Sequence, residues 1–210
     1  MNRRDALRQL GALALLAGSA GLAPAREGRF YILKSPVPTD TEGKIEVLEF
    51  FYYGCPHCRD FDPLIREWLK KLPADVAFAR VPVSWGARDL RHQNEARLYY
   101  AILATRQLDT LHEKAFAAIQ DERLNPGNED AVREWAEKQR VNVKAFMGAY
   151  NAFGVQTQVR RAGQLTRTYK IESVPTVAVG GRFVTSAALT GGHRGTLEET
   201  DRLIERARRG

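Results

Sequence analysis

Apolar positions along this chain change their spacing from region to region, and each change predicts an element. A short apolar run, Phe30–Leu33, is followed by the turn-rich KSPVPTDTEGK. Ile45–Phe51 (IEVLEFF) alternates in part and is rich in β-branched and aromatic residues, the pattern of a mostly buried strand. Phe61, Leu64, Ile65, Trp68, Leu69 and Leu72 then recur at three and four, which predicts a helix kinked by Pro63. Val76–Val83 (VAFARVPV) returns to strand. From Asp89 to about Ala152 strand character disappears and at least four helical patterns follow one another. A capping box, Thr110–Glu113 (TLHE), is expected to open the second of these. Val132, Trp135 and Ala136 form the stripe of the next, after the loop Asn125–Asn128, and Val143, Phe146, Met147 and Tyr150 that of the last. Beyond Gly154, the positions Val155, Val159, Ala162, Leu165 and Tyr169 mark a further helix. VPTVAV and RFVT are strands joined by a two-residue hairpin turn at Gly180-Gly181. A closing helix is expected to start at a second capping box, Thr196–Glu199 (TLEE).

The order is therefore strand, strand–helix–strand, helical block, helix, hairpin, helix. It predicts an α/β domain, a sheet with helices on both faces, interrupted by an all-helical insertion. We expect the domain in two parts, residues 26–87 and 154–210, around an insertion over 88–153. The first 25 residues read differently. A basic head (Arg3, Arg4, Arg8), an Ala/Leu/Gly stretch and Ala23-Pro24-Ala25 have the order of a cleaved signal peptide, with the cut expected after Ala25. The apolar stretch is shorter than the ~20 residues that span a bilayer. Export to the periplasm is the expectation, and Arg3-Arg4 leaves twin-arginine and general export both open. Composition changes this little: 44% hydrophobic and 27% charged residues describe an ordinary domain with a core. The net charge is +7, of which +5 remains without residues 1–25. Apart from Arg206, Arg208 and Arg209 the excess is spread along the chain. It reads as a solvated surface, and we expect a monomer that binds no nucleic acid.

The two cysteines, Cys55 and Cys58, both lie in Glu49–Cys58, EFFYYGCPHC. A zinc site needs four ligands, and His92, His112 and His193 are scattered without ligand spacing. Covalent haem is excluded because Arg59 follows Cys58. A structural staple over so short a loop gains little chain entropy. In an exported protein a reversible dithiol/disulfide remains, needing no cofactor beyond the pair itself. Cys55 falls between a strand end and a helix start, with Pro56 suited to the first helical position. Free N–H groups and the positive end of the helix dipole then favour its thiolate. Cys58, nearly one turn on, should be more buried. His57 between them can add a hydrogen bond or positive charge. Glu49 is an awkward charge in an apolar strand and calls for a partner.

EFFYYGCPHC opening a helix, the helical block, and Val174-Pro175-Thr176 leading into a hairpin together resemble the DsbA family, thioredoxin-fold disulfide oxidoreductases of the bacterial periplasm. The resemblance spans about Arg26 to Gly210. It implies a thioredoxin fold built from both halves of the chain, with Cys55 as exposed nucleophile and Cys58 as resolving partner. Read alone, Ser173–Thr176 is an ordinary turn before a strand; the resemblance implies a cis Val174-Pro175 bond beside the cysteines and substrate binding there. It also matches Glu49 to an acidic position beneath the site and Arg80 to a basic residue on the neighbouring strand. Its implied activity is donation of the Cys55–Cys58 disulfide to reduced, unfolded exported proteins, with reoxidation by a DsbB-type quinone-linked membrane protein. The alternatives are an isomerase or reductase of the same fold, or a binding module: a metal carrier using Cys55, His57 and Cys58, or a holdase. The effect of Gly54, Tyr52 and Tyr53 on the substrate face stays open at this point.

Overall fold

In a computed structural model of the chain, residues 28–210 are described. The signal peptide and its cleavage site, expected over residues 1–25, lie outside them. Among the described residues there are five strands, β1 (Tyr31–Ile32), β2 (Ile45–Phe51), β3 (Val76–Pro82), β4 (Thr176–Val179) and β5 (Phe183–Ser186), in the order β1-β5-β4-β2-β3. Only β2 and β3 run parallel; every other pair is antiparallel. β2 alternates as its sequence demands. Val47 faces a core shared with α1 (Pro56–Leu69) and α8 (His193–Arg208), where Phe61, Ile65, Leu203 and Ile204 meet Val177 and Val179. Leu48 and Phe50 face the other core, against Val81, Tyr169 and the helices described next. The sheet is thus covered on both sides, an α/β thioredoxin-like arrangement with a helical insertion.

The inserted helices are α2 (Leu90–Ala104), α3 (Leu108–Gln120), α4 (Glu129–Lys138) and α5 (Val143–Tyr150). Asp89, Asn128 and Asn142 cap α2, α4 and α5 by accepting backbone N–H groups of their first turns. The buried residues of α4 are the predicted Val132, Trp135 and Ala136, and those of α5 are Phe146, Met147 and Tyr150. α6 (Phe153–Thr168) follows and packs on both α2 and β3. A short helix, α7 (Ala187–Thr190), comes between β5 and α8 and has no counterpart in the sequence reading.

Both expected capping boxes are corrected. α3 begins at Leu108, before Thr110, and α8 begins at His193, before Thr196. Each threonine sits inside the first turn and turns its hydroxyl back, Thr110 to the Gln107 carbonyl and Thr196 to that of Gly192. The same hydroxyl that would cap a helix also satisfies a carbonyl one turn behind, so the pattern misplaces the start. α1 runs unbroken through Pro63. The expected two-residue hairpin turn is corrected: the closing pair Val179–Phe183 leaves three residues, Gly180, Gly181 and Arg182, of which the two glycines take φ of 57° and 66°. A Cβ on Gly181 would come within 2.0 Å of the Val37 carbonyl oxygen, whose residue pairs there with the turn.

Candidate active site

β2 ends at Phe51 and α1 begins at Pro56, so Tyr52–Cys55 is the turn between them. Cys55 is the N-cap residue of α1, extended at φ −89°, with Pro56 inside the first turn. Its sulfur accepts the Cys58 N–H at 3.3 Å and lies 3.8 Å from the Val174 carbonyl oxygen, toward which the thiol points. The Val174-Pro175 bond is cis. Both cysteines are unbonded. Cys58 is fully buried, and Cys55 is only 4% exposed, which corrects the expectation of an openly exposed sulfur.

The two thiols are pulled apart in acidity. The hydrogen bond from Cys58 is the largest influence on Cys55; burial opposes it, and the N–H groups of Cys58 and His57 with the His57 charge add to it. Together they lower Cys55 to about 7. Burial pushes Cys58 far up, and the neighbouring Cys55 adds to that. His57 is exposed and stands edge-on to His193 with ring centroids 6.3 Å apart.

Below α1, strand register makes the next feature. Glu49 on β2 pairs with Arg80 on β3, and their side chains meet with Oε2 and Nε 3.0 Å apart. The N–H is not aimed at that oxygen, so neither atom is hydrogen-bonded. Burial lifts Glu49 to about 7, with Arg80 pulling back. Arg80 turns its Nη2 to Asp62 of α1 at 2.8 Å. Asp62 also faces His112 of α3 (3.4 Å), whose Nδ1 is 2.9 Å from the Tyr53 hydroxyl. Gln120 at the end of α3 donates to the carbonyls of Tyr53 (2.6 Å) and Cys55 (3.1 Å). Tyr53 is therefore a core residue, whereas Tyr52 packs at the surface with His92 and the half-exposed Trp85.

Comparison with known proteins decides what this geometry belongs to. Residues 69–194 match the family described as DSBA-like thioredoxin domain. The thiol:disulfide interchange protein DsbA of Bordetella parapertussis is 40% identical over 206 residues, covering 96% of this chain and 97% of that one. That of Pseudomonas aeruginosa is 33% identical, at 95% coverage of each. The chain belongs to the DsbA family. A crystal structure of P. aeruginosa DsbA superposes with a TM-score of 0.81 at 33% identity, over 86% of this chain and 93% of that one. The oxidoreductase NmDsbA1 from Neisseria meningitidis gives 0.77 at 27% identity, over 90% and 96%. As a DsbA-family member it is a protein-disulfide oxidoreductase.

The structure brings Cys55, His57, Cys58 and Val174 together at one end of the sheet, and Glu49 with Arg80 beneath them. Asp62, Glu95 and Gln120, which were not singled out from sequence, join them from α1, α2 and α3, as does His112 of α3, weighed from sequence only as a metal ligand. A signal existed for two: Asp62 falls one turn after Cys58 on the buried side of α1, and His112 sits beside Leu111 on the stripe of α3. Gln120 had none, since an amide at a helix end looks like any surface residue. The three histidines considered as ligands lie apart: His112 in the Asp62 network, His92 against Asp89 and Trp85, His193 against Phe61.

Proposed function

We propose that this DsbA-family oxidoreductase donates its Cys55–Cys58 disulfide to reduced, unfolded proteins after export to the periplasm. A substrate thiolate attacks the Cys55 sulfur, the Cys55–Cys58 bond breaks, and Cys58 departs as a thiolate that takes up a proton. Glu49, raised by burial to about 7, is placed beneath the pair to supply that proton, with Arg80 holding its charged form. A second substrate thiolate then attacks the substrate sulfur of the mixed disulfide and expels the Cys55 thiolate. The substrate loses two electrons and the enzyme keeps them as a dithiol. Val174 and Pro175 offer substrate backbone a seat beside the sulfur, and His57 favours the anion from the solvent side. Reoxidation falls to a DsbB-type quinone-linked membrane protein, and the redox group is the cysteine pair alone, in a monomer.

The observation that carries this reading is the inequality of the two thiols. A stabilised Cys55 thiolate favours the reduced enzyme and makes the disulfide form the donor. Equilibration with a glutathione buffer tests it. The expected result is a dithiol that persists where ordinary protein thiols are oxidised. A disulfide that resists glutathione would make the protein a reductase instead.

A further inference from the structure

Glu95 is a second buried acid beside the cysteines, and the steps above make no use of it. It projects from α2 of the insertion and is 1% exposed. One carboxylate oxygen accepts the Gly54 N–H at 2.8 Å, and the other meets Arg91 Nε at 3.2 Å. Gly54 immediately precedes Cys55. The ion pair lies close over it: a Cβ there would be 2.6 Å from Arg91 Nη2 and 3.1 Å from Glu95 Oε1. The two charges are not equally placed. Arg91 is 69% exposed on its side chain and Glu95 only 2%, so solvent screens the arginine far more than the carboxylate. Tyr52, on the same turn, feels both the cysteines and this pair: after burial, charge on Cys55 and Cys58 raises it, Arg91 lowers it and Glu95 raises it.

We propose that Glu95 is a positioning residue for Cys55, holding the turn through Gly54 and limiting, by its charge, how far the sulfur favours its anionic form. The inference rests on the disulfide-exchange reading above. It gives the insertion a part in setting oxidising power from a site that is not in the Cys-Pro-His-Cys segment. The other titratable groups around the sulfur are Cys58 and His57 on α1, Tyr52 on the turn and Glu49 on β2, none of them carried by α2.

Glu95→Gln keeps an oxygen for Gly54 and removes the charge. Titration of thiolate absorbance in the reduced protein should show the thiolate-to-thiol ratio rising about three- to tenfold, up to one pKa unit. The glutathione equilibrium should shift by a similar factor toward the dithiol. Arg91→Gln, on the exposed side, should move both readouts the other way, and the double variant should fall between the single ones. Glu95→Leu also removes the acceptor, so amide exchange at Gly54 should speed up there and stay slow in Glu95→Gln. A depressed wild-type titration that Glu95→Gln and Arg91→Gln leave unmoved overturns the role of Glu95 alone. Should Glu95→Gln not fold, the Arg91→Gln shift decides by itself. A wild-type titration at the value of an unfolded thiol overturns the disulfide-exchange reading and this inference with it.

Discussion

Cys55 and Cys58 are three residues apart in one helix, yet their surroundings share almost nothing. Around Cys55 are the helix N-terminus, the Cys58 N–H and the Val174 carbonyl, with the turn braced by Gly54, Gln120 and Glu95. Around Cys58 are closed apolar walls, with its charged form opposed by Glu49 and by Cys55 itself. One site is polar and pre-aligned, so it stabilises charge. The other is dry and penalises it. A single turn of helix is enough to separate them because the N-terminal N–H groups act only within that first turn. The lesson is that reactivity in a Cys-x-x-Cys pair comes from how the helix is buried, while the spacing only brings the sulfurs within bonding reach.

The largest effect should come from removing one sulfur at a time. Cys58→Ala, its Cys55 first charged as a mixed disulfide with glutathione, is expected to exchange with a reduced unfolded substrate that carries one cysteine, releasing glutathione and accumulating the enzyme–substrate mixed disulfide, because nothing remains within the enzyme to resolve it. Cys55→Ala should trap few and lose oxidase activity to background. Non-reducing gels of both variants check this. Equal trapping by the two would mean that the nucleophile has been assigned to the wrong cysteine.

Much of this was legible in the order of residues. β2 matches IEVLEFF end to end, because the strand is buried on both faces and its two glutamates, Glu46 and Glu49, are buried with it. The helical block followed from period alone, and the Cys55 cap from Pro56. Helix starts were less legible, because Thr110 and Thr196 serve a carbonyl behind them as well as they would serve a cap. The contact of the Cys55 sulfur with the Val174 carbonyl joins positions 119 residues apart, which no local pattern reveals. Glu95 and Gln120 act on backbone groups of the turn, and a carboxylate or amide seeking a distant N–H or carbonyl leaves no local pattern. Glu49 was readable as a misplaced charge and Arg80 only through the family resemblance, whereas the third member, Asp62, required the α1–β3 packing to be known.

A middle-sized effect should sharpen the contrast from below. Glu49 is buried, lifted to about 7, and its near oxygen lacks an aligned donor. An acid whose folded value is raised contributes no penalty below its unfolded value, and stability is lost as pH rises through the folded one. Glu49→Gln should therefore leave stability unchanged near the unfolded carboxyl range. Above the folded value it should gain about 3–4 kcal/mol, the full shift at ~1.4 kcal/mol per pKa unit with the Arg80 attraction already inside it. Formation of the mixed disulfide should slow in the same variant, because Cys58 loses the donor of the proton it takes up as it leaves. Denaturant melts at acid and alkaline pH, with single-turnover kinetics, measure both. A variant less stable at alkaline pH would show that the Arg80 pair outweighs the burial cost.

The smallest effect is the difference in stability between the reduced and oxidised forms, and it tests the two thiols against each other. Cys55 at about 7 lies below an unfolded thiol at ~8.5, so its thiolate stabilises the folded reduced form. A depressed acid contributes fully above the unfolded value and loses its contribution as pH falls through the folded one. From those two values the contribution is about 2 kcal/mol at high pH but only about 0.4 kcal/mol at pH 7. Cys58 acts with the opposite sign. Its folded value is raised, so above ~8.5 it keeps a proton that the unfolded chain gives up, and each further pH unit costs about 1.4 kcal/mol. The oxidised form has neither thiol, and its cross-link closes too short a loop to add much. Stability of the reduced form relative to the oxidised one should accordingly rise from acid through neutrality, peak near the unfolded thiol value, and fall beyond it. His57→Ser should flatten the rising limb and leave the falling one, since its charge acts on Cys55. Denaturant melts of both redox forms across that range give the curve. A rising limb that is absent would show that Cys55 is not held below an ordinary thiol. A falling limb that is absent would show that Cys58 ionises freely in the folded protein, which would erase the contrast between the two sites.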